Sequence, residues 1–460
     1  MNHPDSERNL KVIFFEHNPY MSVELLDLLN DYKIICYNDD TTYQYLKEHW
    51  DIESYLNTEF IEEPESDQVA EIMLGDEGFL NRTIQDRAHS KILFFYMNRR
   101  MNELREKTGM PMLLPAFDVQ ERLGNKIFLS EICDKLGLAK NKSVSFEKVP
   151  EDAAELFEKC KETLGIPFIV QDALGESGWD TSLVNSEDEL REAKKKIKNG
   201  LKAAKYLSNN VPVSVHVCIL ENKIIIRGPW LQLIGLPELS ASPFRFTGND
   251  TNQSLLSKKF IDEVLTVSQK ISQFVKGEGY QGILGIDYLW DKDTGVIYPQ
   301  EINSRFVGLT RLLTGIQKDQ SLFPDLLKHI EAFDTPNYTQ KAKSLQDGDI
   351  DFSNRNYSQV IVRNNESNNI KILTRLEPGI YKIQNCLLQK SKQSLFVHDM
   401  EDDEVLITSA AHTGCELWPG EVIVRLILKK SVVDDLEYKL REEAVQLVDV
   451  IRKQTTSSSE

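Results

Sequence analysis

Two strand-like runs on either side of a short polar turn constrain the fold of this chain more than any other feature. Residues 285–290 (Gly-Ile-Asp-Tyr-Leu-Trp) and 297–305 (Ile-Tyr-Pro-Gln-Glu-Ile-Asn-Ser-Arg) have the apolar flanks of a central strand pair. Side chains alternate between the two faces of a strand, so Glu301 and Asn303 point the same way. A turn midway between the runs would bring Asp287 to about 5 to 8 Å from Glu301 at Cβ. The sequence therefore predicts a β-hairpin that gathers carboxylates on one face.

Carboxylate and amide oxygens at this separation suit a hard divalent cation. Mg²⁺ takes one or two carboxylates and completes its shell with phosphate oxygens and water, so Asp287, Glu301 and Asn303 are the predicted ligands. Arg305, one pleat further on, can fork onto a phosphate or a carboxylate. The alternative is a set of solvated polar side chains on an antiparallel pair. The apolar flanks disfavour it, because a buried carboxylate needs a metal or a partner.

Composition and charge exclude several classes of protein. The chain has 460 residues, 41% of them hydrophobic, and room for two to four domains. A formal charge of −18 repels a phosphate backbone, which argues against nucleic acid as the main partner. The first residues are polar and no run approaches about 18 apolar residues, so we expect a cytoplasmic protein without a membrane partner. The six cysteines form no Cys-x-x-Cys pair, which favours buried free thiols.

The order of predicted elements divides the chain into five segments. The first segment is predicted to be an α/β domain with a largely parallel sheet. It contains apolar strands, a helix through residues 23–29 and a further strand at 112–115. It lacks a Gly-rich dinucleotide fingerprint after its first strand. The predicted segments are an N-terminal α/β domain (1–118), a central domain (119–332) with a lid at about 150–208, a structureless linker (333–352), a β-rich domain with a closing helix at 433–452 (353–453) and a disordered tail (454–460).

A glycine-containing turn lies between two strands of the predicted lid. Its residues are Gly175, Ser177 and Gly178, with a Glu between the first two. The turn could simply close a hairpin. It could instead be a flexible cover whose backbone N–H groups wrap phosphates, since glycine lets the main chain approach an anion closely. No Gly-x-x-x-x-Gly-Lys-Ser/Thr run occurs, which excludes P-loop chemistry.

In their order along the chain, these parts resemble the ATP-grasp superfamily. A lysine opens a helix, a strand–glycine loop–strand lid follows, then a hinge-like segment, and finally the acid-bearing hairpin. The resemblance covers about residues 1 to 330, and the β-rich C-terminal part is similar to the third domain of biotin-carboxylase-like members. It implies a mixed α/β and α+β chain, with an N-terminal pre-ATP-grasp α/β domain, an ATP-grasp domain and a β-rich C-terminal domain.

The resemblance also implies roles for individual residues. It implies that the three hairpin residues hold two Mg²⁺ ions on ATP. It also implies that Arg305 binds the γ-phosphate or the acyl phosphate. Arg245 and Arg227 could bind a substrate carboxylate, with surface salt bridges as the alternative. His216 fits a core histidine better than a catalytic one. The implied nucleotide contacts are Lys126 on the α and β phosphates, the glycine turn, and the hinge Lys205, Tyr206 and Leu207 at the adenine edge.

One position departs from the family pattern. Gln171 stands where a second lysine usually ends the strand before the glycine turn, and a neutral amide supplies no charge to a phosphate. The expected function is an ATP-dependent, ADP-forming ligase that joins a carboxylate to an amine through an acyl phosphate. There are two alternatives. One is a biotin-type carboxylase, although the chain has no Met-Lys-Met biotin-attachment sequence, and the other is a non-catalytic nucleotide binder. The expected partners are small-molecule carboxylates and amines, and a homodimer is left open.

Overall fold

The computed structural model describes residues 10–17, 19–38, 44–56, 69–175 and 177–456. Its first part is an α/β domain, in which apolar strands are buried between helices. The strands are β1 (Lys11–Glu16), β2 (Tyr32–Asn38), β3 (Ile52–Leu56) and β4 (Ser90–Phe94). They pair in parallel, as predicted, and their order in the sheet is β3-β2-β1-β4. The helices are α1 (Gln44–Lys47), α2 (Val69–Gly75), α3 (Glu77–Thr83) and α4 (Arg99–Thr108).

Two local predictions in this domain are wrong. The helix predicted after β1 is only a 3-10 turn, Ser22–Leu25, and all of its residues are buried. The carboxylate of Glu16 accepts two backbone N–H groups at the start of this segment, at 2.9 and 3.0 Å, and this fixes a tight turn. The strand predicted at 112–115 is reduced to a single bridge with Ile92. Prolines lie at both ends of that stretch and cannot donate to a ladder.

A small antiparallel unit with its own apolar core follows, in the place predicted for the lid. Two helices lead into it, α5 (Phe117–Gly124) and α6 (Lys126–Leu136). The unit consists of β5 (Ser143–Phe146), α7 (Ala153–Leu164), β6 (Phe168–Asp172), β7 (Thr181–Val184), α8 (Glu187–Lys194) and β8 (Leu201–Lys205). The strand order is β5-β8-β6-β7. Because its core is separate from the two larger cores, the unit has little apolar attachment to the rest of the chain.

The central part of the chain builds half of a large antiparallel sheet. Its elements are β9 (Asn210–Ile219), β10 (Ile224–Ile234), β11 (Phe246–Asp250), α9 (Lys258–Gly277), β12 (Gly282–Asp291), β13 (Ile297–Asn303), α10 (Gly308–Asp319) and α11 (Asp325–Phe333). Strand β12 lies between β9 and β13, so the predicted hairpin is anchored inside the sheet. The segment expected to be a structureless linker carries α12 (Gln340–Ser344), and Thr339 donates its backbone N–H to Leu28 of the first domain at 3.0 Å.

The C-terminal strands continue the same sheet instead of forming a separate one. They are β14 (Ser358–Arg363), β15 (Ile370–Lys371), β16 (Gly379–Gln384), β17 (Leu387–Lys392), β18 (Glu404–Ala410), β19 (Glu416–Leu417) and β20 (Val422–Leu428). The large sheet has the order β13-β12-β9-β10-β11-β14-β20-β18-β16-β17, and β15 pairs with β19. The β11–β14 pairing therefore joins the central and C-terminal parts through backbone hydrogen bonds.

The closing helix is α13 (Glu442–Thr455), which begins later and ends later than predicted. Residues 433–440 form a turn instead, in which the Asp434 carboxylate accepts the N–H groups of Leu436 and Glu437 at 2.9 and 3.1 Å. The first residues of the predicted disordered tail are helical, and 457–460 lie outside the described residues. Four of the six cysteines are buried thiols, as predicted, whereas Cys386 is exposed and Cys415 is half-buried. Within the described ranges, no helix is both long and apolar enough to span a membrane.

Candidate functional site

A cleft of about 2140 Å³ lies where the lid, the large sheet and the N-terminal domain meet. The lid contributes β6, β7 and the loop between them, and the sheet contributes the β12–β13 hairpin. The residues that follow β1 and β4 reach the cleft from the N-terminal domain, and β14 and β20 line its far side. All but two of the residues predicted for the site line this cleft; the exceptions are Arg227 and Arg245.

The hairpin has the predicted register. Asp287 is paired directly with Glu301, and Gly285 with Asn303, so the three polar side chains share the cleft-facing side. The Asp287 carboxylate accepts hydrogen bonds from the Ser214 hydroxyl at 2.7 Å and from the Asn303 amide at 2.9 Å. The strand pair is held in place by apolar residues that alternate with these side chains and are buried on the opposite face: Ile286 and Ile302.

The charge balance of the hairpin fits a bound cation. Burial raises the pKa of Asp287 from its ordinary 3.8 to about 6, and the nearby charge of Glu301 adds to the effect, while hydrogen bonds from Ser214, Gln232 and Asn303 act in the opposite direction. The described residues include no cluster of three His, Cys, Asp or Glu side chains suited to a metal. Two carboxylates and an amide instead leave room for phosphate oxygens and water, as Mg²⁺ requires.

Lys126 links the hairpin to the glycine turn. It is the first residue of α6, which Asn125 caps by accepting the N–H of Ile127 at 2.8 Å. The Lys126 ammonium is 2.9 Å from Glu301 Oε1 and also donates to the carbonyl of Gly175. A buried cation is thereby held between the proposed metal ligands and the lid, where a phosphate could exchange for these partners.

The glycine turn packs against the loop before β11. Gly178 has φ 74°, and a Cβ at this position would collide with the carbonyl oxygen of Phe244, so only glycine fits. The Ser177 carbonyl accepts the N–H of Phe246 at 3.4 Å. The residue between Gly175 and Ser177 lies outside the described ranges. The turn is therefore part of a loop whose backbone approaches both Lys126 and the large sheet.

Gln171 lies on the cleft-facing side of β6, opposite a lysine that the sequence analysis missed. Its amide donates to the Thr181 hydroxyl at 3.3 Å. In the β6–β8 ladder, Gln171 is paired with Lys202, whose ammonium is buried and lies 3.4 Å from the carbonyl of Lys126. Burial, followed by the charge of Lys126, lowers the pKa of Lys202 to about 8. The sequence feature that could have identified Lys202 is its position within a short, largely apolar strand, β8.

The predicted hinge residues and Arg305 reach the cleft from different strands. Lys205 ends β8, and Tyr206 and Leu207 follow it along the cleft wall. The carbonyl of Lys205 accepts the Asn141 amide at 2.8 Å, which fixes the direction of the strand end. Arg305 follows β13, with its guanidinium 5.7 Å from the centre of the Phe95 ring. The N-terminal domain therefore holds Arg305 against the cleft.

Arg227 is not brought to the cleft, contrary to the prediction that it belongs to the site and could bind a substrate carboxylate. It forms a buried ion pair with Asp325 and a longer one, 3.3 Å, with Asp349. Helix α11 covers this end of β10, and the local sequence could not reveal that cover. His216, paired with Arg227 in the ladder, is a buried core histidine, as predicted, and burial lowers its pKa to about 4.

Arg245 lies beside the cleft and beneath the lid. Its guanidinium carbon is 3.2 Å from the centre of the Trp179 ring, in the loop that carries the glycine turn. Its Nε and Nη1 atoms have no hydrogen-bond partner among the described residues. Burial lowers the pKa of Arg245 to about 10. A contact between Arg245 and a substrate stays a prediction, and the stacking on Trp179 ties the residue to the lid.

Comparisons with known proteins place this geometry in a known fold. No protein-family model matches the chain, and no curated protein sequence does. The biotin carboxylase domain of the Hydrogenobacter thermophilus 2-oxoglutarate carboxylase, solved with MgADP, ADP and bicarbonate, has a TM-score of 0.64 at 14% identity over 98% of this chain and 91% of that chain. Biotin carboxylase from Campylobacter jejuni, in a β-γ-ATP complex, has a TM-score of 0.62 at 15% identity over 97% of this chain and 92% of that one.

A second kind of enzyme has the same architecture. Carboxyaminoimidazole ribonucleotide synthase from Aspergillus clavatus, solved with ATP, has a TM-score of 0.58 at 13% identity over 97% of this chain and 99% of that chain. At such identities the likeness concerns the fold, and it extends over almost the full length of this chain. The chain therefore has the ATP-grasp fold, with an N-terminal α/β domain and a β-rich C-terminal part arranged as in biotin carboxylase, which confirms the fold expected from the sequence.

Proposed function

We propose that the chain is an ATP-dependent ligase that joins a carboxylate to an amine and releases ADP and phosphate. The observation that carries the proposal is the joint placement of Asp287, Glu301 and Asn303 opposite Lys126 in one cleft. Two solved neighbours of this fold contain ADP or ATP, one of them with magnesium. The cleft brings together candidate metal ligands, a lysine that could bind phosphate and a glycine turn that could cover it, which supports nucleotide chemistry.

The chain's own residues divide the work of the reaction. Asp287, Glu301 and Asn303 would hold two Mg²⁺ ions, which when bound neutralise charge on the phosphates. Lys126 would leave Glu301 and pair with the α and β phosphates, while the hinge would receive the adenine edge. A carboxylate oxygen of the acid attacks the γ-phosphorus and ADP departs. The amine then attacks the acyl carbon of the acyl phosphate, phosphate leaves, and the amine loses a proton. Arg305 would stabilise the phosphoryl group through both steps.

Two other activities are compatible with the cleft. The biotin carboxylase neighbours favour an ATP-dependent carboxylase that activates bicarbonate. Gln171, which supplies no charge, favours a nucleotide binder without turnover. The three hypotheses differ in their products, because a carboxylase gives no stable hydroxamate of an organic acid and a binder gives no ADP.

A hydroxylamine trap tests the proposal. The protein is incubated with MgATP and a panel of carboxylic acids, first with amines to detect ADP release and then with hydroxylamine in place of the amine. We expect a hydroxamate and ADP with the acid that supports amide formation, and neither with the Glu301→Gln variant. Amide formation accompanied by AMP and pyrophosphate, without a hydroxamate, would overturn the acyl-phosphate route. ADP release that depends on bicarbonate alone would favour the carboxylase.

A further inference from the structure

Two arginines line the end of the cleft that the proposed nucleotide site does not use. Arg363 ends β14 and Arg425 lies within β20, and each closes an identical run, Val-Ile-Val-Arg. The two strands are antiparallel neighbours, with Ile361 paired to Arg425 and Arg363 paired to Val422. All four of these residues line the cleft, so both guanidiniums emerge on its side of the sheet.

Neither arginine has an acidic partner within the described part of the chain. Arg363 donates to backbone carbonyls only, at 2.9 Å to Gly420 and at 3.1 and 3.3 Å to Phe246. Burial lowers the pKa of Arg363 to about 9, and the charge of Arg425 contributes to this shift. The guanidinium of Arg425 lies 5.5 Å from the centre of the Tyr20 ring. The pair therefore forms a concentration of positive charge in a chain whose formal charge is −18.

A third guanidinium lies behind the pair. Arg311 is fully buried, and its guanidinium carbon lies 4.6 Å from the centre of the same Tyr20 ring. Its Nε and Nη1 atoms have no hydrogen-bond partner among the described residues. Like charges buried without counter-ions destabilise a fold unless an anion joins them. Two carboxylates lie nearby. Glu16 interacts electrostatically with Arg311, but its oxygens accept the backbone N–H groups of residues 21 and 22, and Glu421 accepts the N–H of Trp418 at 2.7 Å. Neither carboxylate forms an ion pair with Arg363 or Arg425 in the described part of the chain.

Neutral polar groups connect this end of the cleft with the reaction centre. The Tyr20 hydroxyl donates to Gln359 at 3.2 Å, and the Gln359 amide donates to Asn249 at 2.9 Å. A Cβ on Gly308 would lie 3.1 Å from the Gln359 amide nitrogen, and Gly308 is three residues beyond Arg305. One elongated molecule could thus reach from Arg305 to the arginine pair.

We propose that the acid substrate carries a second anionic group, and that Arg363 and Arg425 bind it while its other carboxylate is activated near Arg305. The inference rests on the proposed ligase function and adds the substrate class: dicarboxylic acids, or acids with a phosphomonoester at the far end. Paired guanidiniums suit either group, because both present oxygens for bidentate hydrogen bonds. Bicarbonate and simple monocarboxylic acids would leave the pair unbound.

Ligand binding under non-reacting conditions tests the proposal. Calorimetry in saturating MgADP compares butyrate with succinate, glutarate and adipate, and with 3-(phosphonooxy)propionate, the phosphate ester of 3-hydroxypropionate, as the phosphomonoester arm. We expect one dianion to bind at least about tenfold more tightly than butyrate, as a charge-assisted hydrogen bond provides. Whether a dicarboxylate or the phosphate ester binds most tightly shows which kind of anionic group the arginine pair recognises. Equal affinity of all acids, or no binding by any of them, would overturn the proposal.

The variants separate the arginine pair from general charge effects. Arg425→Gln is expected to abolish the preference for the dianion without changing butyrate affinity, and Arg425→Lys is expected to retain part of it. Arg100→Gln, at an exposed position on α4, is the matched control and should behave as wild type. Unchanged dianion affinity in folded Arg425→Gln would refute the assignment. A dianion preference that needs Arg425, together with a negative hydroxamate test, would instead retain the anion site and reject the ligase reaction.

Discussion

Replacing Asp287 by Asn is expected to stabilise the metal-free protein while removing its ability to gain stability from MgATP. The Asp287 carboxylate is half-buried beside the carboxylate of Glu301 and accepts hydrogen bonds from Ser214 and Asn303. An Asn side chain has a similar shape and no charge. Catalytic sites often carry a cost of this kind, because groups arranged for a ligand are strained without it.

The magnitude follows from the pKa of Asp287. Its ordinary value of 3.8 is raised to about 6 in the folded chain, and each pKa unit corresponds to about 1.36 kcal/mol. Because the folded state binds this proton more tightly than the unfolded state does, protonation of Asp287 stabilises the folded chain. The free energy of unfolding therefore falls by up to about 3 kcal/mol as the pH rises from about 4 to about 6. The side chain is only partly shielded from the cleft, so we expect roughly 1 to 3 kcal/mol. Asp287→Asn does not titrate and should not show this loss.

Melting temperatures of both proteins in EDTA, between pH 4.5 and pH 7.5, measure the effect. The variant's advantage should increase with pH and level off above about pH 6.5, at up to about 3 °C for a chain of this length. Any difference in packing is independent of pH and cancels in this comparison. A constant difference across the range would refute the reasoning. With MgATP added at pH 7.5, wild type should gain stability and Asp287→Asn should gain little.

Three further predictions concern the nucleotide site. Glu301→Gln should keep its fold but lower turnover by at least about a hundredfold, the scale of one lost electrostatic stabiliser. Steady-state kinetics checks this against Asp293→Asn, in the turn of the same hairpin, which should leave turnover unchanged. MgATP should protect residues 170–185 from proteolysis, because the lid orders when phosphates fill the cleft. Equal cleavage with and without nucleotide would contradict that role. Gln171→Lys should tighten MgATP binding by on the order of 1 kcal/mol in calorimetry, because it adds a charge-assisted hydrogen bond to a phosphate, and an unchanged affinity would mean that Gln171 does not face the nucleotide.

The hairpin could be predicted because the information that specifies it is local. A short turn and the alternation of side chains fix the pairing of Asp287 with Glu301, and the apolar residues between them bury the opposite face. The parallel sheet of the first domain was predictable for the same reason, since its strands are continuous apolar runs. The order of these local signals along the chain then sufficed to indicate the fold.

The far wall of the cleft could not be predicted, because it depends on contacts between distant parts of the chain. Arg363 and Arg425 end identical runs, yet only the β14–β20 pairing shows that they meet. Arg227 was assigned to the site from its sequence neighbours, whereas α11 covers it and provides Asp325. A strand-borne arginine predicts a buried charge, but the tertiary structure decides whether an acid or a ligand compensates it.

The glutamine at position 171, where the family usually has a lysine, also depends on contacts that the local sequence does not reveal. It leads to a final prediction. A lysine at 171 would face Lys202 directly across β6 and β8, with Lys126 nearby, and three ammonium groups would then share one buried region. Gln171 is therefore best explained as the neutral neighbour of Lys202, a buried lysine that is paired with it on the adjacent strand. If so, Gln171→Lys should tighten MgATP binding more in a Lys202→Met background than in wild type, because the repulsion between the two ammonium groups is removed. A double-mutant cycle by calorimetry measures this coupling, and strictly additive effects would show that the two positions act independently.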